Sequence, residues 1–164
     1  MINHNYKNKV AIITGGAGAL GGAMAKGMAQ EGIKIAILGR TLETIQLKVD
    51  EIIELGGEAI GLVADVLKRK ELENAKVKTL EKWGRIDILL NAAGGNVKGA
   101  TIMPEDSFFD MNMEDFDTVV DLNLKGTVLP SLVFGKEIAK QQTGSIINIS
   151  SIAAQQTLTR VVEY

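Results

Sequence analysis

A doubly wound parallel α/β sheet is the fold that the sequence predicts, and three observations predict it. Short apolar runs recur at residues 10–13, 33–38, 59–63, 86–90 and 144–149. Stretches of helical period separate them, so strand and helix alternate along the chain. The run at 33–38 shows no polar alternation, as a strand covered on both faces would not. Alternation of this kind implies right-handed crossovers between parallel strands.

The elements follow in order. The first strand, 10–13, passes at Thr14 into a turn with five glycines in its next eight residues. Helical spacing then begins at Leu20, Met24 and Met28. After the second strand, Thr41 can cap a helix whose apolar positions are Leu42, Ile45, Val49, Ile52 and Ile53, and Gly56-Gly57 ends it. The third strand, 59–63, closes at Asp65. A charged amphipathic helix over 68–83 turns Leu72, Leu80 and Trp83 inward, and Gly84 stops it. The fourth strand, 86–90, runs into Asn91-Ala92-Ala93-Gly94. Residues 95–112 hold Pro104, show no clear period and are long for a connection, a length usual in functional loops. A helix over 113–140 is expected to kink at Gly126 or Pro130, and the fifth strand, 144–149, leads to Ser150-Ser151.

The long helix carries one residue out of pattern. Phe116, Val119, Val120 and Thr127 mark an inward stripe, Asn123 falls on it, and Leu122 and Leu124 flank it. So apolar a helix is expected to be buried on several sides. An amide there needs hydrogen-bond partners, so Asn123 either braces the backbone or belongs to a polar network at a site.

Strand, glycine turn and helix together can hold a nucleotide phosphate. Glycines let a pyrophosphate approach the backbone, and the first amides of the helix have no internal partner. In an open parallel sheet the ligand sits beyond the carboxyl ends of the strands. There this chain places the glycine turn, then Gly39-Arg40, Asp65, Asn91-Ala92-Ala93-Gly94 and Ser150-Ser151. Gly39 stands where an NAD binder usually has a carboxylate for the ribose hydroxyls, and Arg40 suits the extra phosphate of NADP. The expected cofactor is therefore NADP(H), with NAD(H) as the alternative.

Composition excludes other classes. The 164 residues suit one domain, carry a net charge of −2 and have no basic run longer than Lys68-Arg69-Lys70, which argues against a nucleic-acid partner. Without cysteine there is no disulfide, thiolate nucleophile or cysteine metal site, and the only histidine, His4, lies in a polar N-terminal stretch, so no metal site is expected. No signal-peptide pattern and no run of membrane-spanning length occurs, so a cytoplasmic protein away from membranes is expected.

Together these residues resemble the short-chain dehydrogenase/reductase family. Its cofactor motif appears as Thr14-Gly15-Gly16-Ala17-Gly18-Ala19-Leu20-Gly21, with Ala19 where glycine is usual. Asp65-Val66 matches the family's adenine-contacting pair, and Asn91-Ala92-Ala93-Gly94 its Asn-Asn-Ala-Gly motif with the second asparagine replaced. The segment 121–126 matches the one carrying the active-site asparagine, here Asn123. Ile149-Ser150-Ser151 matches the segment whose second serine is catalytic, and Tyr164, thirteen residues on, stands at the spacing of the catalytic tyrosine. Gly94-Gly95-Asn96 and the loop through Phe108-Phe109-Asp110 look like members that act on sugar acids, such as D-mannonate oxidoreductases.

The resemblance implies a Rossmann-like fold over 1–164, a single dinucleotide-binding domain that stops before the last strand and helices of that fold. It implies hydride transfer between a nicotinamide and a carbonyl or secondary alcohol, with a sugar or sugar acid as substrate. Tyr164 is the implied acid/base, Ser151 holds the substrate oxygen, and Asn123 orders a water that links the family's lysine to solvent. That lysine stands four positions after the tyrosine and lowers its pKa from about 10. A chain ending at Tyr164 would lack it and is expected to be inactive. A truncated module that binds a dinucleotide without catalysis is thus the competing reading. A methyltransferase is disfavoured, because it would want an acid after strand two and has no use for Asn123, Ser151 and Tyr164. Family members pair through the long helix, so a homo-dimer or homo-tetramer is expected, with apolar surface at Leu129, Leu132, Val133, Phe134 and Ile138.

Overall fold

The strands that the apolar runs predict form one parallel sheet in the order β3-β2-β1-β4-β5. They are β1 Val10–Thr14, β2 Lys34–Gly39, β3 Ala59–Val63, β4 Ile88–Asn91 and β5 Ser145–Asn148. The computed structural model describes residues 6–151. The chain steps outward from β1 to β3, then crosses back to β4 on the other side of β1, so the order reverses between β1 and β4. Helices cover both faces: α1 Ala19–Gln30, α2 Leu42–Glu54, α3 Arg69–Trp83, α4 Met113–Val120 and α5 Gly126–Lys140.

Strand periodicity divides the core in two. Ile12, Ala36, Leu38 and Leu89 point to one side, where Leu72 and Ala75 of α3 and Val133, Phe134 and Ile138 of α5 cover them. Ala11, Ile13, Ile35, Ile37 and Leu90 point to the other, against Ala25 and Ala29 of α1 and Ile45, Val49 and Ile52 of α2. The central strands are buried on both faces, which is why their sequences read as continuous apolar runs.

Several local details refine the expected elements. The fully buried stripe of α1 is Gly21, Gly22, Ala25 and Ala29, small residues that bring the helix axis close to the sheet, while Met24 and Met28 pack half-buried against the core and Leu20 is exposed. Thr41 holds the N-cap position of α2 without a side-chain capping bond; the Thr44 hydroxyl donates instead to the Thr41 carbonyl at 3.0 Å. On α3 the fully buried face is Leu72, Ala75 and Thr79, with Leu80 and Trp83 half-buried at its edge. β4 also starts two residues later than its apolar run, because Gln141 takes both main-chain groups of Ile86.

The helix over 113–140 is not broken by Pro130 and departs from α geometry immediately before Gly126. It widens into a π turn at Asp121–Lys125, between α4 and α5, while Pro130 sits inside α5. Asn123 gives the cause: its Nδ2 donates at 2.9 Å to the carbonyl of Val119, one turn back, and so competes with the backbone ladder. Nor is this helix buried on several sides. Leu124, Val128 and Leu132 are about half exposed or more, whereas Val133, Phe134 and Ile138 lie in the core. Any apolar contact surface is therefore the outer stripe, which keeps Leu132 of the five residues that the sequence singles out and loses Val133, Phe134 and Ile138 to the core.

At the amino end of the sheet a buried carboxylate ties strands together. Asp87 accepts from Lys9 Nζ at 2.8 Å, Arg85 Nε at 2.7 Å and the Val10 amide at 3.0 Å. Burial works against its ionisation, but Arg85, Lys9 and the Val10 amide outweigh burial and pull its pKa down to about 2, from an ordinary 3.8. The folded pKa is the depressed one, so the stabilisation is full above the unfolded value and is lost as pH falls from about 4 to about 2. The expected contribution is roughly 2 kcal/mol. Denaturant midpoints between pH 7 and pH 2 should show this loss, and Asp87→Asn should flatten it.

Candidate functional site

The reversal of strand order opens a crevice at the carboxyl ends, and β1 and β4 build its floor. Thr14, the last residue of β1, is fully buried. Its Oγ1 accepts from the amides of Ala92 and Ala93, both at 3.1 Å, and locks the glycine turn to the loop after β4. Gly15 follows at φ +62°, where a Cβ would stand 2.8 Å from the Ala92 carbonyl oxygen. The Gly16 amide donates to the Leu38 carbonyl at 3.1 Å, and the Gly18 amide closes the turn on the Gly15 carbonyl at 2.9 Å. Gly21 packs so closely that a Cβ would lie 2.5 Å from the Gly15 oxygen. Gly15 and Gly21 are thus each required by a close approach of backbone to backbone.

The first turn of α1 leaves its amides open to an anion. Gly18 at its N-cap offers no side chain, and no acidic residue stands in the first turn. The leading amides therefore lack a side-chain acceptor and carry the positive end of the helix dipole. Ala19 and Leu20 are exposed at the tip, so the methyl that replaces the usual glycine meets no crowding there.

From this turn a groove of about 630 Å³ runs across the sheet. It is lined by Gly15, Ala17, Gly18, Ala19, Leu20 and Gly21, by Gly39-Arg40 after β2, by Asp65-Val66 after β3 and by Ala92, Ala93 and Gly94 after β4. Asp65 is held from both sides: its amide donates to Glu71 Oε2 at 2.8 Å, and its Oδ1 accepts from the Leu67 amide at 2.9 Å. The Asp65 amide, with Lys68 beside it, keeps the Glu71 carboxyl below the usual carboxylate range. Arg40 is exposed at the groove's edge and makes no ion pair among the described residues. Thr41, Thr44, Thr118 and Leu122 also line the groove, and the sequence marked none of them as site residues.

Next to it lies a second cavity of about 460 Å³, lined by Leu20, the 91–95 loop, Asn123, Thr127 and Ile149-Ser150-Ser151. The structure thus brings Asn123 and Ser151 to one cavity; Tyr164 lies outside the described residues. Asn123 braces the loop directly: Nδ2 donates to the Gly95 carbonyl at 2.8 Å, and Oδ1 accepts from the Gly95 amide at 3.1 Å. A Cβ on Gly94 would stand 2.7 Å from that Oδ1, which is why the motif ends in glycine.

Asn91 turns away from the groove into the sheet–helix layer. Its Nδ2 donates to Ser131 Oγ at 3.0 Å and to Asn148 Oδ1 at 2.9 Å. Thr127 Oγ1 donates to the Asn123 carbonyl at 2.9 Å and extends the polar row to the π turn. Sequence reasoning missed Ser131 and Asn148. The available signal was a hydroxyl pair, Thr127 and Ser131, spaced one turn apart in an otherwise apolar helix. Among the described residues no group of three or more histidine, cysteine, aspartate or glutamate side chains is placed to hold a metal. No helix among them is long and apolar enough to cross a membrane.

Known proteins share this arrangement. The family model described as short chain dehydrogenase matches residues 9–164. An uncharacterized oxidoreductase of Bacillus subtilis, UxuB, is 44% identical over 99% of the chain and 62% of its own length. An uncharacterized oxidoreductase of Haemophilus influenzae is 35% identical over 99% of the chain and 60% of its own length. Among solved structures, a candidate D-mannonate oxidoreductase from Haemophilus influenza with bound NAD superposes with a TM-score of 0.91 at 35% identity, covering 97% of this chain and 60% of that one. An NAD+-bound xylitol dehydrogenase superposes at 0.88 with 27% identity, covering 96% and 58%. The chain thus spans about three fifths of the length of the relatives it matches, 62% and 60% for the two oxidoreductases.

Proposed function

The chain belongs to the short-chain dehydrogenase family of oxidoreductases, and from that premise we propose that it binds a nicotinamide dinucleotide along the groove and interconverts a carbonyl and a secondary alcohol on a sugar or sugar acid. The observation that carries this reading is the glycine turn. Its two backbone approaches, which a Cβ at Gly15 or Gly21 would force apart, hold the uncapped α1 amides together as a cradle. That cradle fits a pyrophosphate. Asp65 and Val66 stand where the adenine lies in this reading, and the 91–94 loop borders the cavity where the reacting ends meet. The dinucleotide supplies the hydride donor or acceptor.

The chain supplies the proton chemistry and the positioning. Ser151 holds the substrate oxygen by hydrogen bond, and Tyr164 gives or takes its proton. Asn123 keeps the loop in place through Gly95 and serves the water that connects the tyrosine's lysine to solvent. A sugar or sugar-acid substrate is supported by the D-mannonate and xylitol names of the two similar structures and by the 94–96 and 108–110 segments. A polypeptide of the relatives' length, assayed in both directions with sugar acids and polyols, should turn over at least one of them. Binding of the dinucleotide without turnover of any would favour the non-catalytic module. A control chain stopped at Tyr164 should bind and not turn over.

NADP(H) is the proposed cofactor, because Gly39 removes the carboxylate that would repel a 2′-phosphate and Arg40 stands at the groove's edge to pair with it. The two similar structures carry NAD, so the choice is measurable: NADPH should bind about tenfold more tightly than NADH, and Arg40→Ala should erase the difference. Equal affinity in the unmodified chain would assign NAD(H) equally.

The proposed assembly is a dimer or tetramer in the cytoplasm. Leu67, Leu124, Val128 and Leu132 leave an exposed apolar stripe on the outer side of the π turn and α5, and soluble monomers rarely leave such a patch open. Sedimentation of the full polypeptide as a monomer would exclude this.

A further inference from the structure

Behind the loop after β4, an amide and a hydroxyl are placed to do more than fill space. Asn91 and Asn148 stand opposite each other on neighbouring strands. Asn91 is bonded to β5 twice, by its side chain to Asn148 Oδ1 at 2.9 Å and by its carbonyl to the Ile149 amide at 3.0 Å. Ser151 follows two residues after Ile149. The pair Asn91–Asn148 is the last of the four rungs between β4 and β5, so these bonds act where the strand ends.

Ser131 decides which way the Asn91 amide faces. Its hydroxyl donates to the Thr127 carbonyl at 2.7 Å, which leaves its oxygen to accept from Asn91 Nδ2 at 3.0 Å. The NH2 group is thereby turned toward both Ser131 and Asn148. The opposite atom, Asn91 Oδ1, is buried and has no hydrogen-bond partner among the described residues. An unmet acceptor is destabilising, and an aliphatic side chain like those of Leu89 and Leu90 would avoid it. The cost is consistent with an amide kept for its directed bonds rather than for packing.

We propose, resting on the oxidoreductase reading above, that Ser131 is a positioning residue: through Asn91 and Asn148 it sets the end of β5 and hence the place of the Ser151 hydroxyl in the cavity. Without the Ser131 hydroxyl the amide keeps only the longer bond to the Thr127 carbonyl, at 3.4 Å, on that side, so the bond to Asn148 weakens and the last rung between β4 and β5 loosens. The role differs from that of Asn123, which fixes the loop after β4.

The test uses a polypeptide of the relatives' length with Ser131→Ala, Ser131→Thr and Asn148→Ala. Ser131→Ala should speed hydrogen exchange of the Ile149 amide about tenfold and lower kcat about tenfold, with dinucleotide affinity within about twofold. Ser131→Thr should restore both, which a purely volumetric role would not do. Asn148, on the exposed strand, provides the same readout should Ser131→Ala fail to fold. Unchanged Ile149 exchange in the folded variant overturns the proposal, as does unchanged kcat where the parent enzyme turns over. Should the parent turn over no substrate, the functional reading fails, and the exchange rate alone still decides the Ser131 lock.

Discussion

Gly21→Ala is expected to abolish dinucleotide binding. The new methyl carbon would stand 2.5 Å from the Gly15 oxygen, 3.0 Å from its carbonyl carbon and 3.1 Å from Gly16 Cα. All three are main-chain atoms, so no side chain can swing aside, and the turn itself must move. Moving it displaces the α1 amides and strains the bond from the Gly18 amide to the Gly15 carbonyl. Affinity should fall by about a hundredfold or more, since the pyrophosphate depends on those amides being in register. Stability should fall by about 1–3 kcal/mol from overpacking. Gly27 is the control: a Cβ there meets nothing within 4 Å, so Gly27→Ala should bind normally. Isothermal titration of the three proteins reads the result directly.

Tyr164→Phe, in a polypeptide of the relatives' length, is the second large effect. The ring stays and the proton goes, so dinucleotide affinity should be unchanged while kcat drops by about 10²–10⁴, the usual share of a positioned acid or base. The loss should appear in kcat and in kcat/KM alike, because the proton is needed only as the carbonyl oxygen changes charge. Ser151→Ala should lose less, since it removes one hydrogen bond to that oxygen. A phenylalanine variant with normal turnover would remove Tyr164 from the mechanism.

What was legible in the sequence depended on how many constraints acted on each residue. The β1 and β2 runs were plain because a strand buried on both faces has no polar positions to blur it. The glycine turn was plain because Gly15 and Gly21 answer to main-chain collisions that no other residue survives. The helical spacing of Leu20, Met24 and Met28 marks α1 but not its fully buried face, because the contact with the sheet runs through Gly21, Gly22 and Ala25, whose small side chains carry little hydrophobic signal. The break in the long helix was expected at Gly126 or Pro130, the usual breakers. It arises instead from a side-chain bond, Asn123 to the Val119 carbonyl, which no local propensity encodes. The Asn91–Ser131–Asn148 lock was invisible because its members are far apart in sequence and meet only through strand register and the seating of α5.

In the proposed function one dinucleotide lies along the groove with its reactive end beside Asn123 and Ser151. A crystal structure of the full polypeptide with the dinucleotide and a substrate analogue measures this most directly. The pyrophosphate should lie on the amides at the start of α1, the adenine beside Asp65 and Val66, and the analogue's oxygen within hydrogen-bond distance of the Ser151 hydroxyl. A dinucleotide seated away from the 14–21 turn, or an analogue bound with Ser151 facing elsewhere, would contradict it.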